Sequence, residues 1–525
     1  MIPTYYGDVG DRLMGTVGRD VYRRKLERDL ARLDDERAIE ALAAIDAFQE
    51  VGGPAPFDLL PDLPPEVGDA ELGSPYNFPH WTRETLVNEL LATPKARGLN
   101  TGGSRRLRHD RYAVFQRLID IQLKLENAED GVFLDRRDVF EEMPRLAQRQ
   151  FEWQRGVANA PTLYRSMLLY GSDTAAEYFE SDSGVSVSTF AKVGTFLFAR
   201  FGHGRALPNI VDLSSLGVTA AMWKMALARF AIDLPDARSK AATMRRGSRH
   251  TAYRPSILRD HPIIAFGGPR GRLRAPIADL VMYRYTTGLY LDVVRGGSAV
   301  WTGIGERFER YVLDYLGAMM APYVVAGEMT YGPKKTSSRS PDILISTTAG
   351  AVIAAIECKA KRMSFDARFA TDPVAAAAIG FDELAKGIFQ LWRFFSHARL
   401  GLTGRLLLSP ECQGILITAD SWLMMARDQA AKVLVAAHRL ADSAGGIAPE
   451  DRRDIAFCPI HDVELSLQHG TADSFLAACR DVASGDRKGW MLSPSYGADL
   501  GLERPYPFVD RIADLLPWMG EDVRA

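Results

Sequence analysis

Two carboxylates and a lysine fall at the ends of two neighbouring apolar segments in the last third of the chain. Asp342 begins the run 342–346, and Glu357 and Lys359 end the longer run 351–359, AVIAAIECK. Such runs predict short buried strands. In a hairpin, the start of the first strand lies beside the end of the second, and alternation places Glu357 and Lys359 on one face. The pattern therefore predicts that the three side chains converge at one sheet edge.

A group of this composition suits phosphoryl chemistry assisted by a divalent cation. Two adjacent carboxylates repel each other, and each has a raised pKa unless a counter-charge is present. Mg²⁺ takes oxygen ligands, and it can polarise a phosphoryl oxygen and lower the pKa of a bound water. Lys359 would add a compact positive charge beside that water and the scissile phosphate. Cys358 points to the opposite face of its strand and is expected in the core.

The elements expected around these residues alternate in the order helix, three strands, helix, strand, helix, strand. Apolar residues recur at helical spacing in some segments and form short continuous runs in others. The helices are predicted at 303–320, 381–399 and 422–440, and the strands at 322–330, 342–346, 351–359, 413–418 and 454–460. This order predicts an α/β sheet covered by helices.

The dipeptide Pro341-Asp342 and the tripeptide Glu357-Cys358-Lys359 together resemble the signature of the PD-(D/E)xK nuclease superfamily. The family has the restriction-endonuclease-like fold, whose core is a helix, three strands, a helix and a strand. That is the order predicted above. The resemblance covers 297–465 and implies a mixed-sheet nuclease domain that hydrolyses phosphodiester bonds, in DNA rather than RNA.

The resemblance also implies roles for the residues that match the motif. Asp342 and Glu357 would bind Mg²⁺ or Mn²⁺ together with the backbone carbonyl of Cys358. Lys359 would orient or activate the attacking water. These roles follow from the family and not from the spacing of the residues.

Two further helices are expected to contribute polar side chains. The family often has a glutamate on its first helix in a G-x-x-F-E setting, and the segment GERFE assigns that role to Glu309, with Glu306 as the alternative. Many members carry a polar residue on the helix that follows the ExK strand. Lys386 and Gln390 lie one turn apart there and are the candidates for a supporting role, although an exposed i,i+4 pair is an equally good interpretation.

The chain as a whole is expected to have a mainly helical N-terminal region followed by the nuclease domain. The predicted segments are an N-terminal helical segment 1–50, a Pro/Gly-rich linker or extended segment 51–81, a mainly helical substrate- or partner-binding region 82–296, the nuclease domain 297–465 and a C-terminal extension 466–525. Within the third segment, 231–274 is basic and is predicted to be loop-like.

Arginines in this basic stretch are candidates for contacts with DNA phosphates. The predicted contact residues are Arg245, Arg246, Arg249, Arg270 and Arg272. A solvated loop paired with carboxylates is the competing interpretation, and the formal net charge of −2 argues against general coating of DNA. Arg105, Arg106, Arg108 and Arg111 form a second, weaker candidate patch.

Other matches to the motif are set aside because their context is wrong. Asp486-Arg487-Lys488 follows a turn-like segment rather than an apolar strand, and the dipeptide Pro61-Asp62 lies outside the predicted nuclease domain. His461 follows a strand and could be an acid or a ligand, but a structural role is the preferred interpretation.

Composition limits the remaining function classes. The four cysteines form no CxxC pair, no basic and apolar leader opens the chain, and no run of about 18 apolar residues predicts a membrane span. We therefore expect a cytoplasmic protein without membrane contacts. By analogy with the family that the chain resembles, we further expect a DNA-binding enzyme that acts in restriction-like defence, with a possible activator protein and a possible homodimer. The alternatives are a repair, recombination or mobile-element nuclease, an RNase, and an inactive nucleic-acid-binding scaffold.

Overall fold

The protein has an α/β fold in which helices predominate in the N-terminal part and the main sheet lies in the C-terminal part. The computed structural model describes residues 9–51, 56–96, 106–133, 139–204, 206–247, 250–267, 271–334, 337–370, 372–423, 426–492 and 503–521. No helix within these ranges is long and apolar enough to cross a membrane.

Helices form most of the N-terminal part, as predicted. They are α1 (Val9–Leu30), α2 (Asp35–Val51), α3 (His80–Ala92), α4 (Tyr112–Phe133), α5 (Val139–Gln154), α6 (Ala160–Tyr170), α7 (Asp173–Ser183), α8 (Val187–Phe201), α9 (Ala220–Phe230), α10 (Leu234–Gly247), α11 (Ile257–Asp260), α12 (Asp279–Tyr285) and α13 (Tyr290–Val293). The N-terminal helical segment predicted at 1–50 contains two helices, α1 and α2, over its described residues. Asp34 starts the second one, because its carboxylate accepts a hydrogen bond of 3.0 Å from the Arg37 N–H group.

The Pro/Gly-rich segment packs on the helices over its described residues, 56–79. It consists of turns and one short 3₁₀ helix, Pro65–Val67. Leu60 and Phe78 are buried, and the Phe78 ring stacks on Tyr112 of α4 with a centroid distance of 5.2 Å. The segment is therefore part of the N-terminal core, which agrees with the second of the two interpretations from sequence.

The prediction that 231–274 is loop-like is wrong. This stretch contains α10, α11 and three strands of a small mixed sheet. The strands of that sheet are β1 (Leu207–Pro208), β2 (Ala231–Asp233), β3 (Ile263–Phe266) and β4 (Arg272–Arg274), in the order β1-β4-β3-β2. Strands of two to four residues are too short to show alternation in the sequence. The helix α10 was also difficult to recognise in the sequence, because the acidic residues that pair with its arginines lie in distant segments and not within the helix itself.

The C-terminal part has the predicted order of helix, three strands, helix, strand, helix and strand, with a small hairpin inserted before the second strand. Its elements are α14 (Ser298–Met319), β5 (Val324–Gly327), β6 (Thr330–Tyr331), β7 (Ser338–Arg339), β8 (Ile343–Ser346), β9 (Ala351–Lys359), α15 (Phe365–Arg368), α16 (Pro373–Ala376), α17 (Ala378–Arg399), β10 (Leu407–Thr418), α18 (Arg427–Ala444), β11 (Ile455–Pro459), α19 (Ile460–Gln468), α20 (Ala472–Ser484), α21 (Ile512–Leu515) and α22 (Trp518–Glu521).

The main sheet is mixed, with the strand order β11-β10-β9-β8-β5. β9 is antiparallel to β8 and parallel to β10, and β10 is parallel to β11. β9 is buried on both faces. Ile356 and Cys358 belong to the same apolar cluster as Phe308 of α14, whereas Ala355 belongs to the cluster of Leu384 on α17. This confirms the prediction of a central strand with Cys358 in the core.

The hydrophobic core continues across the domain boundary predicted near residue 296. One buried cluster joins side chains of α6, α7 and α8 with α14, the main sheet and the C-terminal residues Tyr506 and Phe508. α14 contacts α6 and α7 as well as β9. α14 therefore packs on the main sheet and also on the N-terminal helices.

Candidate active site

The hairpin of β8 and β9 brings Asp342 beside Glu357. Ile343 is paired with Ile356, so the residue before β8 lies next to the carboxyl end of β9. The backbone N–H of Cys358 donates a hydrogen bond of 2.7 Å to Oδ2 of Asp342. This contact fixes the Asp342 carboxylate against the strand that carries Glu357 and Lys359.

Glu357 and Lys359 point to the face of the sheet that α17 covers. The Lys359 Nζ donates to Oε1 of Glu357 at 2.8 Å and to Oε1 of Gln390 at 3.3 Å. Glu357 is almost fully buried, with 2% of its surface exposed, so its charge cannot be solvated by bulk water. Lys359 and Gln390 therefore hold the buried carboxylate in one orientation.

Gly387 allows α17 to pack directly on these side chains. A Cβ atom at this position would lie 2.8 Å from Cδ1 of Leu416, 3.1 Å from Cε of Lys359 and 3.3 Å from Cγ of Glu357. The first distance is shorter than normal van der Waals contact, and Leu416 is fully buried. Sequence reasoning missed this residue, because a glycine within a helix carries no chemical signal of its own.

These side chains open on a cavity of about 450 Å³. It is lined by Glu309, Glu328, Ser337, Ser338, Arg339, Ser340, Pro341, Asp342, Glu357, Lys359, Gln390 and Arg393. Glu309 of α14 and Gln390 of α17 thus reach the same space as the strand residues. Glu306 and Lys386 are exposed and lie outside this lining, so the structure places them away from the cluster.

Three carboxyl groups around the cavity have raised pKa values. Burial, with a smaller contribution from Asp342, raises the pKa of Glu357 to about 7, even though Lys359 opposes the shift. Desolvation and the charge of Asp342 raise the pKa of Glu309 to about 7. Burial also raises the pKa of Asp342, against the hydrogen bond from Cys358 and the charge of Lys359. The cavity is therefore short of positive charge.

Lys359 is held in its charged form. Its own desolvation lowers its pKa, but the charge of Glu357 and the hydrogen bond to it, together with Asp342, outweigh that effect and raise the pKa. Oε2 of Glu357 is buried and has no hydrogen-bond partner among the described residues. Lys359 thus pairs with one oxygen of the Glu357 carboxylate, and the other oxygen has no hydrogen-bond partner among the described residues.

The donor set fits a hard divalent cation. Mg²⁺ and Mn²⁺ prefer oxygen ligands, and the unpartnered Oε2 of Glu357 lies in a cluster that lacks positive charge. Within the described ranges, no group of three or more His, Cys, Asp or Glu side chains is arranged to hold a metal ion. Two carboxylates and the Cys358 carbonyl, the set implied by the resemblance, would need water or substrate oxygens to complete the coordination shell.

Sequence reasoning did not single out three charged residues of the cavity, Glu328, Arg339 and Arg393. Glu328 follows β5 and pairs with Arg339 at 3.2 Å. Arg393 lies on α17 one turn after Gln390, so helical spacing from Gln390 would have found it. Arg339 belongs to the inserted hairpin of β6 and β7, which the sequence did not predict.

Two of the arginines proposed to contact DNA, Arg245 and Arg272, form ion pairs with carboxylates. Arg245 lies 3.4 Å from Glu27 and 3.8 Å from Glu89, and Arg272 lies 2.7 Å from Glu36. Arg246 is exposed on the last turn of α10. Arg249 and Arg270 lie outside the described residues, as does Arg105 of the weaker candidate patch. Contact of these arginines with DNA remains a prediction.

The motif matches that were set aside lie away from the cavity. Lys488, in the turn after α20, pairs with Asp454 at 2.7 Å. His461 is the second residue of α19 and lines a different cavity, between the N-terminal helices and the ends of the parallel strands.

Comparisons of the chain with protein-family models, with curated proteins and with solved structures gave no match. The assignment of the site therefore depends on the sequence motif and on the geometry described above.

Proposed function

We propose that the protein is a metal-dependent nuclease that hydrolyses phosphodiester bonds in DNA. The observation that carries the proposal is the convergence of Asp342, Glu357, Lys359 and Glu309 on one cavity beside α17. Two carboxylates and one lysine at the edge of a mixed sheet match the motif and strand order of the PD-(D/E)xK superfamily. The shortage of positive charge in the cavity supports a cation as the missing component.

Each side chain has a role that follows from its contacts. Asp342 and Glu357 would hold Mg²⁺ or Mn²⁺, and Glu309 would add negative charge from α14. When bound, the cation would neutralise the carboxylates and polarise the phosphoryl oxygen. Lys359 would orient the attacking water and stabilise charge that develops on the phosphate. Gln390 keeps the lysine ammonium in place through its 3.3 Å contact.

The biological role that we propose is restriction-like defence against foreign DNA, and it rests on analogy with the superfamily. One such site cuts one strand, so cleavage of both strands would require two copies of the chain, which makes a homodimer the expected active form. A repair, recombination or mobile-element nuclease would have the same site but would prefer junctions or flaps to intact duplex.

The test is cleavage of supercoiled plasmid, single-stranded DNA and RNA by the full chain with Mg²⁺, with Mn²⁺ or with EDTA. Asp342→Asn is the inactivating variant, and Asp486→Asn, which changes the discounted motif in an exposed turn, is its matched control. We expect metal-dependent cleavage of DNA by the wild type and the control, and none by Asp342→Asn. Equal cleavage by Asp342→Asn would remove this residue from the site. No cleavage by any protein, with no metal bound in calorimetry, would favour the inactive scaffold.

A further inference from the structure

A second cavity, of about 90 Å³, lies at the carboxyl ends of β10 and β11, facing α5 and α6. We call it the arginine cavity, because Arg155, Arg165, Arg362 and Arg368 line it. Ligands of α/β proteins bind preferentially beyond the carboxyl ends of parallel strands. The proposed nuclease chemistry makes no use of this cavity.

The wall of the arginine cavity carries more positive than negative charge. Its acidic lining residues are Glu152 and Asp420, against four arginines. The side chains of these arginines are between 8% and 14% exposed, which is unusual for so many cations in one place. Arg155 and Arg165 pair with Asp462 and Glu464, and these two carboxylates lie outside the lining. Within the lining, Arg368 donates to both oxygens of Asp420 at 2.9 Å.

Titration of the neighbouring groups reflects the same positive field. Burial and the charges of Arg155 and Arg165 lower the pKa of His461 to about 3, so this lining residue is neutral. Burial would raise the pKa of Glu152, but Arg259 and Arg368 outweigh it and lower the pKa to about 2.

Several donors around the cavity are not used within the described part of the chain. The Nε atoms of Arg362 and Arg368 and the Nε2 atom of His461 are buried without a hydrogen-bond partner there. Arg362 donates to the Thr287 carbonyl at 2.8 Å and lies over the Tyr290 ring, 5.2 Å from its centroid. Its nearest carboxylate oxygen, on Asp420, is 4.0 Å away.

We propose that the arginine cavity binds a phosphate-sized oxyanion, either inorganic phosphate or the phosphate group of a phosphomonoester. Guanidinium groups bind tetrahedral oxyanions through paired, charge-assisted hydrogen bonds. The hydroxyls of Thr162 and Ser421 provide neutral donors on the same wall, and the Gln148 amide nitrogen, which donates to the Ser421 carbonyl, has a second N–H. The volume of about 90 Å³ is larger than the ~10–15 Å³ of probe volume that one water molecule needs, so a small ion can be accommodated.

The position of the cavity connects it to the candidate active site. The Ala419 N–H donates to the Lys359 carbonyl at 3.0 Å, and the Met363 N–H donates to the Asp420 carboxylate at 3.0 Å. Arg362 lies three residues after Lys359 in the sequence. A bound anion would therefore join α5 and α6 to the segment that follows the proposed catalytic lysine. The inference itself does not depend on nuclease activity.

Calorimetric titration of the full chain with sodium phosphate, at constant ionic strength, tests the proposal. Ser421→Asp places a carboxylate on the wall beside Arg155, whose guanidinium now donates to the serine hydroxyl at 3.3 Å. Ser443→Asp introduces the same charge on the exposed surface of α18 and is the matched control. Phosphate binding is expected in the wild type and the control, and to be weakened about tenfold or more in Ser421→Asp.

Two further variants keep the test decisive. Gln148→Glu adds a negative charge to the same wall from α5 and replaces Ser421→Asp if that variant does not fold. Lys359→Ala distinguishes the two cavities, since phosphate should bind this variant as it binds the wild type.

Phenyl phosphate, titrated in parallel, should also bind if the natural ligand is a phosphomonoester, and should not if it is free phosphate.

Three results would overturn the proposal. The first is absence of saturable phosphate binding by the wild type. The second is wild-type affinity in both Ser421→Asp and Gln148→Glu. The third is loss of binding in Lys359→Ala, which would place the anion at the candidate active site instead.

Discussion

At the scale of single residues, the candidate active site is a cluster of carboxyl groups with too little positive charge around it. Glu357 is buried beside one lysine and one glutamine, and Asp342 is tied to the backbone of the same strand. Charges in such surroundings are stable only with a counter-ion or a proton. Burial raises the pKa values of Glu357 and Glu309 to about 7, so without a cation these groups bind protons more readily than ordinary glutamates.

A dependence of stability on pH follows from Glu357. Its pKa is about 7 in the folded protein, against an ordinary value of 4.5, so between these pH values the folded state binds more protons than the unfolded state. The free energy of unfolding of the metal-free protein should therefore fall as pH rises through this window. In Glu357→Gln, the free energy of unfolding should decrease less over the same pH window. Chemical denaturation at a series of pH values would measure it.

The matched control for this prediction is Glu411→Gln, which changes an exposed glutamate of β10. It should keep the full pH dependence of the wild type. An identical pH dependence in Glu357→Gln would show that Glu357 is not the group that titrates. Added Mg²⁺ should stabilise the wild type more above pH 7 than below it, since metal binding competes with protons for the carboxylates.

At the scale of elements, the sequence predicted the long strands and helices around the site better than the short strands. The nearly continuous apolar run 351–359 corresponds to β9 residue for residue, because a strand buried on both faces leaves that signature. The β6–β7 hairpin and the small N-terminal sheet were missed, since strands of two to four residues are too short to show a period. Arg339, which lines the cavity, was missed with its hairpin.

The close packing of α17 on β9 predicts that Gly387→Ala will impair the site. The new methyl group would meet Leu416 and Lys359 at 2.8 and 3.1 Å, so the side chains that position Glu357 must move. We expect a loss of stability of about 1–3 kcal/mol, typical of overpacking, together with reduced cleavage. Thermal denaturation and the plasmid assay would measure both effects.

Gly317→Ala is the matched control for the glycine prediction. Gly317 is exposed on α14, and a Cβ atom there meets nothing within 4 Å. This change should leave cleavage unaltered and leave stability equal or slightly higher, because alanine favours the helical state. Wild-type stability and activity in Gly387→Ala would contradict the packing described here.

At the scale of the whole molecule, the nuclease-like region is not separated from the helices before it. Tyr311 of α14 donates a hydrogen bond to Glu464, which also pairs with Arg165 of α6. The Tyr311 hydroxyl also lies 2.9 Å from that of Tyr506 near the C-terminal end. The sequence favoured a boundary near 296 because Gly296 and Gly297 follow an apolar segment, but local composition carries no information on contacts between distant segments.

This packing predicts that a fragment beginning at residue 297 will not fold independently. It would expose the apolar face of α14 that α6 and α7 cover in the full chain. We expect the fragment to lack a cooperative thermal transition and to bind a dye that reports exposed apolar surface. The full chain should melt cooperatively and should not bind the dye. A fragment that melts cooperatively and cleaves DNA would show that the predicted boundary is a true domain limit.

The measurement that tests the central claim most directly is Mg²⁺-dependent nicking of supercoiled plasmid by the wild type and by Lys359→Ala. Lys359 supplies the positive charge beside Glu357, whereas the carboxylates that would hold the cation remain in the variant. We predict nicking by the wild type that EDTA abolishes, and none by Lys359→Ala. Undiminished nicking by Lys359→Ala, or the absence of nicking by the wild type with either Mg²⁺ or Mn²⁺, would contradict the assignment of this cavity as a nuclease active site.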